Sequence, residues 1–437
     1  MDLIIHSLQS IAIAIIEPMH LLMILIFGII FYFKNVRIVS IQKMTLGEGI
    51  NTPLELTLSQ IVLGILAGAI GTVILSVLGV TFSENSGIEF IFMISILSLF
   101  YKKKYISYAY SGAILGIIGI CLKIISNISG MKLFMNINIL SLTTFIGVMY
   151  VLEGILIIID GNRGAIPVFT KKDDKIVGGF SFSRYWPVPI AILMIFSNSA
   201  STTDSVYLNV SSWWPIVNRS ETLAILATTM IAAIPLYGMM GYGNVTFTQE
   251  KKVKALRCGG AILVYGVSIM LIAQLAGINI LGEIFAIIYL PLAYELIMRY
   301  ETNVEKKGEC LYVSDDEGIM VLEVTPNSPA YEVGIKRGDK IIEINGQNIQ
   351  SEVDIFKAAK DTIFNIPIKI KNNSGQVLEY ILQPRNKRLG LLLVPKMVKK
   401  EDIFEIKPDD LKNIIDEYFR YQRLNLNVWH FFLIFLK

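Results

Sequence analysis

GIMVLEVTPNSPAYEVGIKRGDKIIEINGQ, residues 318–347, carries a strand, a capped helical turn and a second strand within thirty residues. The apolar run 318–324 has the β-branched and aliphatic make-up of a strand. Ser328 can accept a backbone N–H at a helix start, Pro329 suits the first helical position, and Gly334 suits the stop. Residues 338–347 give a second strand closed by Asn345-Gly346, a pair that favours tight turns. Downstream, Ser351 and Asp354 form a capping box. The helix it opens, 351–364, turns Ile355, Ala358, Ala359 and Ile363 to one face. Residues 367–382 read as a hairpin around Asn373-Ser374-Gly375. This part is a small water-soluble α+β unit.

What precedes it is not water-soluble. Of the 437 residues, 53% are hydrophobic and only 17% charged, against roughly a quarter charged in ordinary soluble domains. The change of character falls near Arg299. A membrane-crossing helix needs about 20 mostly apolar residues. Candidates lie at 11–33, 57–80, 87–101, 105–125, 138–159, 186–206, 222–241, 256–275 and 278–298. The fold class expected is therefore an all-α membrane bundle of about eight or nine spans over 1–300, followed by the α+β domain at 305–385. A C-terminal extension, 386–437, follows, with a strand-like run at its start, an amphipathic helix at 408–424 and an apolar tail. Glu17-Pro18 interrupts the first span, so the segment before it is expected to form a separate helix. Asp2 stands where a secretory leader has basic residues, so no cleavable leader is expected.

Nine spans with the first loop inside place Lys34, Arg37, Lys43, Lys102, Lys103, Lys104, Arg163, Lys171, Lys172, Lys175, Arg184, Lys251, Lys252, Lys254 and Arg257 on one side. Only Lys132 and Arg219 fall on the other. Basic loops stay cytoplasmic, which puts the α+β domain in the cytoplasm. Gly64, Gly68 and Gly71, and likewise Gly112, Gly116 and Gly119, form small-residue faces of the kind that let helices approach closely.

Ionisable residues at membrane depth are candidates for function; here they are Glu153, Glu283 and Glu295, while Asp160 and Lys123 stand near span ends, where they can reach water. The three cysteines show no CxxC spacing, and a net charge of +3 gives no reason to expect nucleic acid as a partner. His6, His20 and His430 form no His-Glu-x-x-His motif, and no segment has room for a soluble protease barrel. No catalytic residue, metal or cofactor is expected, and the chain reads as a non-enzyme.

Residues 305–385 resemble a PDZ domain of the bacterial type. Ser328-Pro329-Ala330, Gly334, Gly338-Asp339 and Asn345-Gly346 stand in step with that family's hallmark. The resemblance implies a peptide groove between the 318–324 strand and the 351–364 helix, with Asp316, Glu317, Gly318, Ile319, Met320, Val321, Ile355 and Ala359 around it. The N–H groups of Gly318, Ile319 and Met320 would receive a terminal carboxylate. An extended peptide would add to the strand edge.

A multi-span bundle with one PDZ domain resembles the MinJ-type division determinants of Gram-positive bacteria. The resemblance implies a non-enzymatic scaffold in the lipid bilayer, enriched at septum and poles, that bridges a DivIVA-like polar scaffold and a MinD-like division inhibitor. Two other readings are an adaptor of a membrane protease or signalling complex, and a transporter with a regulatory PDZ domain.

Overall fold

In a computed structural model, residues 2–47, 49–97, 107–130, 135–172, 175–197, 214–217, 229–349, 351–361, 365–385 and 388–396 are described. The expected 408–424 helix, the apolar tail and Lys102, Lys103 and Lys104 lie outside them. So do parts of the 87–101, 186–206 and 222–241 spans.

Glu17-Pro18 separates α1 (Asp2–Ile16) from α2 (Pro18–Leu46), with Pro18 in the first turn of α2. A proline there removes an N–H that has no helical partner in any case. Thr52 caps α3 (Pro53–Leu78) by accepting the Glu55 N–H. The short strand β1 (Thr81–Ser83), the nine-residue helix α4 (Glu89–Leu97) and α5 (Tyr108–Ser129) follow. α6 (Ile139–Asp160) is the central helix, buried on nearly every side. α7 (Lys251–Ala276) and α8 (Ile280–Lys307) complete the bundle. Among the described residues, six helices are long and apolar enough to cross a membrane. α6 and α7 meet glycine to glycine: a Cβ on Gly154 would lie 2.7 Å from the Gly259 oxygen, and one on Gly147 2.9 Å from the Gly266 oxygen.

The expectation of helices at 186–206 and 222–241 is overturned. Between α6 and α7 the chain forms β2 (Ile166–Lys172), then two long strands, β3 (Lys175–Ser197) and β4 (Thr229–Thr246). β3 and β4 pair antiparallel in unbroken register from Phe180↔Thr246 to Ser197↔Thr229. Hydropathy cannot separate a buried strand from a buried helix. The signal that could is the proline spacing. Pro187 and Pro189 oppose Met239 and Tyr237, and Ala191 opposes Pro235. All three prolines therefore occupy one parity of the ladder, the non-hydrogen-bonded pairs, where the missing N–H would point away from the partner strand.

Those outward positions are met by the helices. The Pro187 and Pro189 oxygens sit where a Cβ on Gly64 or Gly68 would lie, 2.1 and 1.8 Å away. The Ala191 N–H donates to Thr72 Oγ1 at 2.9 Å. The Gly64/Gly68 face of α3 thus seats a strand instead of a helix. Gly112 and Gly116 do receive helix side chains, from Ile146 and Ile287. On the far edge of β4, the Met239 N–H donates to Ser95 Oγ and its oxygen accepts from Tyr108 Oη. Irregular or extended backbone at membrane depth is tolerated only when buried in protein and hydrogen-bonded in this way.

The C-terminal domain holds a six-stranded sheet. Its strands are β6 (Ile319–Val324), β7 (Lys340–Ile344), β8 (Gln347–Asn348), β9 (Ile366–Lys371), β10 (Val377–Leu382) and β11 (Leu391–Leu393). The order is β10-β9-β7-β6-β11, with β8 on β7. Helices α9 (Pro329–Glu332) and α10 (Glu352–Asp361) cover it, and the Ser328 hydroxyl accepts the Tyr331 N–H to cap α9. The sheet runs past the expected boundary at 385, because β11 supplies its edge.

Candidate peptide-binding site and its seat on the bundle

β6 is buried on both faces. Ile319 and Val321 enter the domain's own core with Ile355, Ala359, Leu391 and Leu393. Met320 and Leu322 enter the bundle's core with Tyr312 and Val394. That explains why 319–322 reads as an unbroken apolar run, since a strand covered on both sides has no polar face.

The domain is fixed to the bundle. β5 (Tyr312–Val313) adds to β3 opposite Gly178 and Val177. Leu322 and Val394 pack so closely on Gly178 that a Cβ there would lie 2.9 Å from each. The Tyr312 ring stands edge-on to Phe180 at 5.8 Å. Buried Glu323 binds Lys251 of the bundle at 2.6 Å and also Arg337, and both cations lie over the Phe180 ring. Arg388 donates to the Gly47 oxygen at 3.2 Å.

The groove expected along β6 is not available there. β7 pairs one edge of β6 and β11 the other, with Leu391 opposite Val324 and Leu393 opposite Val321. The Met320 N–H, expected to meet a carboxylate, donates to Ser314 Oγ at 2.9 Å. In the preceding loop each acid has its own lysine. Asp315 pairs with Lys340, Asp316 with Lys396 at 2.9 Å and Glu317 with Lys371 at 2.7 Å. Burial works to raise the Asp315 carboxyl, but Lys340 and the Glu317 and Gly318 amides hold it below its ordinary value. The hydrogen bond from Lys396 lowers Asp316. Among the described residues no strand pairs the outer edge of β11. Ile355 and Ala359 are buried in the core beneath; Val353 and Phe356 are the exposed apolar residues of α10.

Residues 320–369 match the PDZ domain family. The chain is also similar to the cell division topological determinant MinJ of Bacillus subtilis (strain 168), 22% identical over 241 residues, which cover 54% of this chain and 56% of MinJ. The match thus spans little more than half of that relative's length. Shorter similarities run to Rap guanine nucleotide exchange factor 6 of Homo sapiens, 33% identical over 19% of this chain and 5% of that protein. Another is to a putative zinc metalloprotease of Clostridium acetobutylicum, 35% identical over 21% of this chain and 30% of that protein. The chain is a MinJ-like protein with a C-terminal PDZ domain.

The membrane-depth carboxylates are dispersed. Glu283 pairs with Lys123 at 2.7 Å. Glu295 accepts from Tyr110 Oη at 3.2 Å and lies 3.5 Å from Arg299. Glu153 is buried on α6 beside a cavity bounded by β4, α7 and α8. Among the described residues, no group of His, Cys, Asp and Glu could hold a metal ion. Sequence reasoning placed Asp160 near a span end within reach of water and Arg184 in a loop; the two instead form a fully buried pair. Arg184 Nε donates to Asp160 Oδ2 at 2.9 Å, Trp186 Nε1 donates to the same oxygen at 2.9 Å, and Arg184 Nη2 donates to Ser59 Oγ at 2.7 Å. In an all-helical threading Arg184 counts as a loop charge. Its place in a strand aligned with the end of α6 is visible only once 175–197 is recognised as extended.

Proposed function

We propose that this protein is a membrane scaffold in division-site selection that recruits protein partners through its PDZ domain. The observation that carries the reading is the extent of the MinJ similarity, 241 residues, several times the 50 positions from 320 to 369 that match the PDZ family. Only 130 residues follow α8, so a match of that length must reach well into the bundle.

The PDZ domain shares its end of the bundle with Arg163, Lys171, Lys172, Lys175, Lys251 and Lys252. The positive-inside rule supports a cytoplasmic placement for that end. β3 and β4 replace two expected helices but still run down the bundle and back, so the charge count keeps its sense. An incoming peptide is taken by the outer edge of β11, with Val353 and Phe356 of α10 as its apolar contacts. Because the domain is packed on the bundle, a partner is held at a fixed height and orientation at the membrane. Confinement to one surface raises the effective concentration of other membrane-bound components, so a weak groove suffices. The partners this reading names are a DivIVA-like polar scaffold and a MinD-like inhibitor.

The test is in-cell cross-linking and capture with the full-length protein and its Phe356→Lys variant. Phe356 is 48% exposed, so the change spares the core. Wild type should retain division proteins, and the variant should lose them by tenfold or more. Equal capture by both, or recovery of a protease in place of division proteins, contradicts the proposal.

A further inference from the structure

At the PDZ end of the bundle, a cavity of about 720 Å³ lies between β4, α6, α7 and α8, lined by Glu153, Tyr242, Gly243, Cys258 and Glu301 among others. That volume is within the range of sites that hold ligands. Two observations point to what it takes.

The first is the backbone of β4. Its odd-numbered residues turn their N–H and C=O away from β3, as Pro235 and the Met239 contacts to Ser95 and Tyr108 require. Some of these groups are provided for. Ala233 O accepts from Ser10 Oγ at 2.8 Å, Pro235 has no N–H, and the Val245 N–H donates to Asn244 Oδ1 at 2.8 Å. Gly241 and Gly243 share this parity, and among the described residues no hydrogen bond meets their outward groups. A Cβ on Gly243 would approach nothing nearer than 3.8 Å, so its bareness is not imposed by packing. A glycine inside a strand often marks close approach by another backbone.

The second observation is Glu301, only 5% exposed. Its Oε2 accepts from Lys254 at 3.2 Å, Arg257 at 2.8 Å and Cys258 at 3.1 Å, whereas the buried Oε1 has no hydrogen-bond partner. A buried carboxylate oxygen in that state calls for a donor. The wall's other charges are largely matched within the protein: Glu305 by Lys254, Glu295 by Arg299. The missing element is thus hydrogen-bonding backbone more than charge.

We propose that this cavity binds an extended peptide segment of a partner protein, added as a further strand to β4 at Gly243, beside Glu301. The site is separate from the PDZ edge and does not depend on the division reading. A strand guest uses main-chain bonds for affinity and is therefore tolerant of sequence.

The test uses full-length protein in lipid nanodiscs. The probe is a fluorescent heptapeptide of alternating valine and lysine, blocked at both ends, followed by anisotropy. Gly243→Pro removes the outward donor at a parity where Pro235 is already accommodated; Gly243→Ala is the control. A second arm gives wild type the same peptide N-methylated at alternate amides, which needs no variant to fold. The expected result is saturable binding to wild type and Gly243→Ala, weakened at least tenfold both by Gly243→Pro and by N-methylation. Binding that ignores both changes, that is lost only in Phe356→Lys, or that does not exceed binding to empty nanodiscs overturns the proposal.

Discussion

Replacing Gly68 by alanine separates a strand seated on α3 from a helix packed there. The new Cβ would lie 1.8 Å from the Pro189 oxygen and 2.8 Å from its carbonyl carbon, both backbone atoms. Ordinary C···O contact begins near 3.3 Å, so β3 or α3 must move by roughly 1.5 Å. Neither can move alone. β3 is held by eighteen consecutive pairings to β4, Phe180↔Thr246 to Ser197↔Thr229, and α3 contributes Thr72 to the Ala191 N–H. Overpacking of this kind costs about 1–3 kcal/mol, and more when backbone must shift. Gly260, where an added methyl would meet nothing within 4 Å, is the matched control on another helix. Thermal unfolding of the purified full-length protein in one detergent, followed by intrinsic fluorescence, should show Gly68→Ala melting several degrees below wild type and Gly260→Ala close to it. Equal melting temperatures for the two alanine variants would refute the seating of β3 on α3.

Breaking the buried Asp160–Arg184 pair from one side, by Asp160→Leu or Arg184→Met, should cost about 3–5 kcal/mol, because it strands the other charge. The double variant should recover much of the loss, as a thermal-melt cycle would show. Glu323→Ala leaves Lys251 and Arg337 without their shared carboxylate at the PDZ–bundle contact, so amide exchange should accelerate in 312–322 while that of α6 stays slow. Burial raises the Asp339 carboxyl above its ordinary value, against the opposing Lys336 N–H and charge. In the interval from the unfolded carboxylate value, about 4, up to that raised value, the folded state binds more protons. Stability from this group therefore falls as pH rises through the interval. Asp339→Asn should flatten that part of the pH–melting profile relative to wild type.

The soluble half was legible because its signals are local. Ser328, Pro329, Gly334 and Asn345-Gly346 each act through a turn or cap that the residue itself dictates. Gly334 and Gly346 take φ of 93° and 74°, and Asn345 takes φ of 52°. The membrane half was legible in its helices and misleading in its hairpin. Length and apolarity identify a buried segment, but 186–206 and 222–241 satisfy that criterion as strands. Only the alternate spacing of Pro187 and Pro189, unsuited to a helix interior, pointed the other way. The pairing that closes the expected edge of β6 was missed for a different reason. A strand-like run at 389–394 was visible, but its pairing to β6 is a contact across some 70 residues that no local pattern encodes. The Gly64/Gly68 face shows the same limit: small residues announce close approach without saying what approaches.

The most direct measurement for the account as a whole is the distribution of a full-length fluorescent fusion, made at native level, in dividing cells and normalised to a membrane dye. Enrichment over the dye at septa and poles is the predicted result. Fluorescence that follows the dye evenly around the cell would contradict a division-site scaffold.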